Sequence, residues 1–180
     1  MRSINCLSYL LIFLFGQSVY AANPLHLKML KNYTYSTPLK LDLSGADLRL
    51  YNLDEVDLSG ANLQGANLSG MQLIRTKFDN ALLNHANFKG ASLDRVSFQN
   101  AFMECVDFSQ STFMYVNFND ARLPSAKFLD SIIKRTTFLR AKLKRTDFTG
   151  ANLYIINFSN ANWEDAKFDN TIQTKINRFN

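Results

Sequence analysis

The sequence predicts a square coil that turns four corners in every twenty residues. Three observations carry this. From Leu43 to Phe168, twenty-six consecutive positions spaced by five are all Leu, Phe, Met, Ile or Trp. Two places before each of these centres the residue is mostly small, as at Ala46, Ala61, Ala66, Ala81 and Ala121. From Phe78 to Phe168, phenylalanine returns at every tenth residue. On a helix a step of five turns by about 140°, so the apolar positions would smear around the cylinder. On a strand five is odd, so successive centres would point to opposite faces. Only a chain that turns a corner in each repeat aims every centre at one axis. If like residues stack on like, the number of sides is even; two sides leave no interior, and four give a coil of twenty residues. Two opposite sides then carry Phe and the other two mostly aliphatic residues, with large side chains expected to face small ones across the axis.

The elements follow in order. Residues 1–21 read as a secretory signal peptide: Arg2 supplies the positive start, Leu7 to Phe15 is an apolar run too short for a comfortable membrane span, and Val19-Tyr20-Ala21 is a cleavage site. Cleavage removes Cys6 and leaves Cys105 as the one remaining cysteine. Cys105 is therefore expected as a free thiol at an outward corner, available in an oxidising compartment for an intermolecular disulfide and a homodimer. Residues 22–40 are expected to cap the coil. There Asn23 can N-cap a short helix with Pro24 at its first position, and the Leu25/Leu27/Met29 alternation also permits a strand. Residues 41–170 form the coil. Gln173 falls on a centre, so residues 171–180 are expected to be the C-terminal cap or tail.

The repeats "ANLQG", "ANLSG", "ANFKG" and "ANLYI" resemble the A(D/N)LxG repeats of pentapeptide-repeat proteins, over about Leu41 to Asn170. The resemblance implies an all-β fold, a right-handed quadrilateral β-helix of six to seven coils. It also implies a function to test. Some members of that family resemble duplex DNA in shape and charge and act on DNA gyrase, protecting it from quinolones. A DNA mimic needs an acidic surface, whereas this chain carries a net +5, and gyrase is cytoplasmic whereas this chain begins with an export signal.

Charge is unevenly spread. From Leu41 to Ile74 five acids (Asp42, Asp47, Asp54, Glu55, Asp57) face Arg49 alone, a net of −4. From Arg122 to Arg145 eight bases face Asp130 alone, a net of +7. Positions twenty apart lie above one another, so each residue belongs to one of four walls. The two Phe walls have ordinary turn residues at their corners, such as Ser59-Gly60, Asp79-Asn80 and Thr149-Gly150. Asp107, Lys127, Asp147 and Lys167 alternate on one of them as a charge ladder. The wall through Leu53, Leu73, Leu93, Phe113, Ile133 and Leu153 departs from this. After its first corner, Asp54-Glu55, come Ile74-Arg75, Asp94-Arg95, Met114-Tyr115, Lys134-Arg135 and Tyr154-Ile155. Arg75, Arg95, Met114, Tyr115, Lys134, Arg135, Tyr154 and Ile155 combine arginines with aromatic and apolar groups, the usual makings of a contact patch. The opposite wall shows a weaker version in Leu82, Phe102, Arg122 and Lys142.

Catalytic residues, cofactors and metal ligands are not expected. His26 and His85 have no carboxylate in register, Cys105 stands one coil above His85, and Glu164-Asp165 and Asp54-Glu55 read as solvated corners. No Gly-rich phosphate loop is present. The expected function is an exported, periplasmic or secreted, non-enzymatic rod that binds a protein or envelope partner. No nucleic-acid partner and no stable membrane insertion after cleavage are expected.

Overall fold

The computed structural model describes residues 41–178. The 1–21 leader with Cys6, the 22–40 cap with its Asn23–Pro24 start, and the last two residues lie outside the described residues.

In many repeats the second residue supports the bend. Asp42, Asp57, Asn67, Asn87, Asp107, Asn117, Asp147 and Asn157 each accept the backbone N–H two residues further on at 2.9–3.2 Å. This is the side-chain turn that Asx residues favour. The centre's carbonyl then accepts the N–H three residues later, as from Ala61 to Leu58 at 3.0 Å. Other backbone groups pair with the coils above and below: Asn62 N–H donates to Leu41 C=O at 2.8 Å and Leu63 N–H to Leu82 C=O at 2.7 Å. Bridges such as Asp42↔Asn62, Asn62↔Leu82 and Leu82↔Phe102 are all parallel and spaced by one coil. The result is the expected all-β quadrilateral solenoid.

One wall is more regular than the others. All six strands begin on it, and the last three continue past its corner onto the adjoining Phe wall: β1 (Gln72–Ile74), β2 (Ser92–Asp94), β3 (Thr112–Met114), β4 (Ile132–Thr137), β5 (Asn152–Asn157) and β6 (Ile172–Asn177). They form one parallel sheet in sequence order. At its middle Leu73, Leu93, Phe113, Ile133, Leu153 and Gln173 are stacked in register. Sequence explains part of the difference. Five of the six strands open with Gln72, Ser92, Thr112, Ile132 or Ile172, where the other walls mostly place Asp or Asn. Thr112, Ile132 and Ile172 favour the extended state. A missing Asx does not by itself keep the chain extended: Leu82, Phe102, Arg122 and Lys142 on the fourth wall also lack it and are followed by turns, and β5 opens with Asn152.

The centres fill the axis. Phe78, Phe98, Phe118, Phe138 and Phe158 are almost fully buried and stack at 4.8–5.1 Å. The other Phe wall stacks likewise, for example Phe108 on Phe128 at 5.1 Å. The expectation that large faces small across the axis is corrected here. Phe88 meets both Phe78 and Phe98 edge-on, at 5.9 and 5.7 Å with planes near perpendicular. Half a turn of coil raises the chain by half a coil spacing. Each ring therefore enters the gap between two rings opposite, and the edge-to-face geometry suits their quadrupoles. Where the small slot is polar, its hydroxyl is used. Buried Thr76, Ser111 and Thr146 donate to the carbonyls of Leu53, Phe88 and Leu123 at 2.7–2.8 Å. Among the described residues no buried side-chain polar atom lacks a partner.

Two details differ from the sequence reading. Cys105 is a disulfide cysteine, not a free thiol. At the C-terminal end β6 continues the coil in register with β5. Arg178 covers the last rings, its guanidinium carbon 5.2 Å from the Trp163 ring and 5.7 Å from Phe168.

Candidate macromolecule-binding wall

The strand wall carries the predicted patch. Its outer corner column runs Glu55, Arg75, Arg95, Tyr115, Arg135, Ile155 and Lys175, and every member is left-handed, with φ between 50° and 61°. No glycine or asparagine occurs among them. A left-handed L-residue costs roughly 1–2 kcal/mol, and for β-branched Ile155 this conformation is a true outlier. On the Phe walls Gly60, Asn80, Gly90, Asn100, Gly150 and Asn160 meet the same need with less strain, Arg140 being one departure. His85, Cys105 and Arg145 share the strained state on the fourth wall.

The side chains of this column touch from coil to coil. Arg75 pairs with Glu55 at 2.8 Å, and Arg95 with Asp94 at 2.8 Å. Tyr115 lies between two guanidinium carbons, Arg95 at 5.6 Å and Arg135 at 5.4 Å from its ring centre. Further along, the Lys175 ammonium lies 5.9 Å from the Tyr154 ring. Among the described residues Lys134, Arg135 and Lys175 form no ion pair within 4.0 Å. A shallow groove of about 380 Å³ opens beside them, lined in part by Tyr115, Arg135, Thr137, Ile155, Asn157 and Lys175.

The structure thus brings the predicted residues Arg75, Arg95, Met114, Tyr115, Lys134, Arg135, Tyr154 and Ile155 onto one face, and adds three. Ile132, Ile172 and Lys175 share the wall. Of the four exposed large apolar side chains among the described residues, Tyr115 (46 %), Ile132 (41 %) and Ile172 (62 %) belong to it, and only Leu50 (97 %) lies elsewhere. The sequence signal for Ile132 and Ile172 was present in the position before each centre, which elsewhere is often Asp or Asn. On the fourth wall Arg122 stacks over Phe102 at 4.8 Å. In the charge ladder only Lys167 reaches its acid, Asp147, at 3.8 Å; Asp107 and Asp147 also accept the backbone N–H of their own turns. The His85 imidazole is held below its ordinary pKa by burial, with Glu104 opposing. Asp120 is held below the usual carboxylate range by its hydrogen bond to Arg140. Among the described residues no three His, Cys, Asp or Glu side chains gather where a metal ion could sit.

Twenty-residue parallel coils with an A(D/N)L turn signal define a class, the β-solenoids built of five-residue repeats. The chain belongs to the pentapeptide-repeat family: a "pentapeptide repeat region" model matches residues 74–148, and a "pentapeptide repeats (8 copies)" model matches residues 40–70 and 52–90, together more than half of the chain. No curated protein matches the sequence. Among solved structures the chain is similar to HetL, a pentapeptide repeat protein involved in heterocyst differentiation regulation from the cyanobacterium Nostoc. The two are 22 % identical, the match covers 77 % of this chain and 68 % of HetL, and the TM-score is 0.36. A pentapeptide repeat protein of the Arabidopsis thaliana thylakoid lumen is 27 % identical over 63 % of this chain and 71 % of its own, with a TM-score of 0.37. The plasmid-mediated fluoroquinolone resistance protein QnrB1 is 16 % identical over 78 % and 79 %, also at 0.37. Family membership rests on the repeat models and not on these superpositions.

Proposed function

We propose that the protein is an exported, non-catalytic rod whose strand wall docks a macromolecular partner. One observation carries this reading: a seven-residue column keeps charged, aromatic and aliphatic side chains on left-handed corners where glycine would be less strained. Arginine and tyrosine dominate the energetics of interfaces, and Tyr115 flanked by Arg95 and Arg135 supplies both. Lys134, Arg135 and Lys175, which form no ion pair among the described residues, favour a partner with acidic groups opposite them. Export rests on the Arg2, Leu7–Phe15 and Val19-Tyr20-Ala21 pattern. The net charge of +5 weighs against the duplex mimicry known in the family, which calls for an acidic surface.

The test is affinity capture from envelope fractions and culture supernatant, comparing the wild-type chain with a Tyr115→Ala/Arg135→Ala variant. A partner retained by the wild type and lost by the folded variant is expected; equal capture contradicts the wall. N-terminal sequencing of the extracytoplasmic form is expected to begin at Ala22, and full-length protein confined to the cytosol contradicts export.

A further inference from the structure

We infer that the strand wall is self-complementary and pairs two copies of this chain face to face and antiparallel, an inference that rests on reading the wall as a docking surface. Tyr115 is the fourth of the seven residues in the corner column, and Met114 is the fourth of the seven beside it (Asp54, Ile74, Asp94, Met114, Lys134, Tyr154, Thr174). A two-fold axis across the wall at this level reverses the order of the coils and keeps each column against itself. Met114 then meets Met114 of the second copy. Asp94 meets Lys134, Glu55 meets Lys175, and Ile74 meets Tyr154, each contact occurring twice as an isologous interface requires.

Charge decides the orientation. The wall's acids, Asp54, Glu55 and Asp94, all lie in its first half, where Arg75 pairs with Glu55 and Arg95 with Asp94; Lys134, Arg135 and Lys175, which form no ion pair among the described residues, lie in the second. Antiparallel pairing sets one group against the other, whereas parallel pairing sets like against like. Arg95 against Arg135 is the one like-charged crossing. There Asp94, 2.8 Å from Arg95, lies beside Lys134 of the second copy. The exposed Ile132 and Ile172 and the half-buried Ile74, Met114 and Tyr154 supply apolar area. Coils spaced at ~4.8 Å make the wall about 30 Å long. Two copies then bury on the order of 1,000 Å², near the lower limit for a specific interface, so association is expected to be weak and reversible.

Sedimentation of the purified protein tests this over a range of about 1–200 µM. A reversible monomer–dimer equilibrium is expected. Asp94→Lys and Lys134→Asp should each move its midpoint to at least about tenfold higher concentration. The double variant Asp94→Lys/Lys134→Asp again sets opposite charges against each other at that crossing. It should bring the midpoint back to within about threefold of wild type. A wild type that stays monomeric throughout, a dimer indifferent to both single changes, or a double variant no better than the singles overturns the inference. A monomer that still captures an envelope partner, and loses it in Tyr115→Ala/Arg135→Ala, overturns self-pairing and leaves the wall reading standing. Capture that ignores Tyr115 and Arg135 sinks the wall reading itself.

Discussion

Arg135 holds its guanidinium carbon 5.4 Å from the centre of the Tyr115 ring, one coil away, and Arg95 approaches the same ring from the other side at 5.6 Å. All three lie on the outside of the rod, so the contacts organise the surface more than they hold the fold. An exposed cation–π contact contributes about 0.5–1 kcal/mol. Tyr115→Ala with Arg135→Ala should therefore cost at most about 2 kcal/mol in a denaturant titration and leave the β signal intact. A loss much beyond that would make the column a structural brace.

Ile155 tests the strain directly. At φ 56° its β-branched side chain occupies the region L-residues avoid, so Ile155→Gly should stabilise the rod by about 1 kcal/mol. Asn80→Gly, at φ 59° on a Phe wall, should change little, since asparagine tolerates this conformation. Chemical denaturation of both variants checks this. If Ile155→Gly is destabilising, packing of the isoleucine outweighs its backbone cost.

Phe118 tests the core. Its ring stacks on Phe98 at 5.0 Å and on Phe138 at 4.8 Å, and meets Phe108 and Phe128 edge-on or nearly so. Phe118→Ala should cost about 3–5 kcal/mol. Phe118→Asp buries a charge with no partner and should leave the chain insoluble or without its far-ultraviolet β signal. A soluble, strongly helical Phe118→Asp protein would contradict the fold.

Much of this architecture is legible in the sequence because its rule is so short. A period of five admits no helix or strand, and the Phe recurrence sets twenty residues per coil. The odd wall also shows itself, through corners such as Met114-Tyr115 and Tyr154-Ile155 that lack turn residues. What stayed hidden depends on three-dimensional phase. The half-coil rise that sets Phe88 between Phe78 and Phe98 is absent from a flat listing of centres. That the strands gather on one wall was not legible either: Gln72, Ser92, Thr112, Ile132 and Ile172 lack Asx there, but so do Leu82, Phe102, Arg122 and Lys142 on the fourth wall, which turns.

His85 gives the rod a pH dependence. Burial lowers its pKa, with Glu104 opposing. Between the folded and unfolded pKa values the unfolded chain binds more protons, so stability rises with pH there. The contribution is complete above the unfolded value of about 6.5 and fades as pH falls through the folded one. Wild type should thus lose stability as pH falls below the unfolded value relative to His85→Asn, whose side chain tolerates the φ of 62° and does not titrate. Parallel stability curves for the two proteins would show that the imidazole is solvated in solution.

The central claim is that the strand wall, and no other wall, is where this rod meets its partner. It is tested most directly by comparing capture of the envelope partner by two folded double variants. Tyr115→Ala/Arg135→Ala removes the aromatic–arginine pair, and Ser69→Ala/Ser159→Ala alters corners of the two Phe walls. The account predicts that the first variant weakens binding by roughly 2 kcal/mol or more, while the second binds as the wild type does. Equal binding by all three proteins, or a loss shared by both variants, would contradict it.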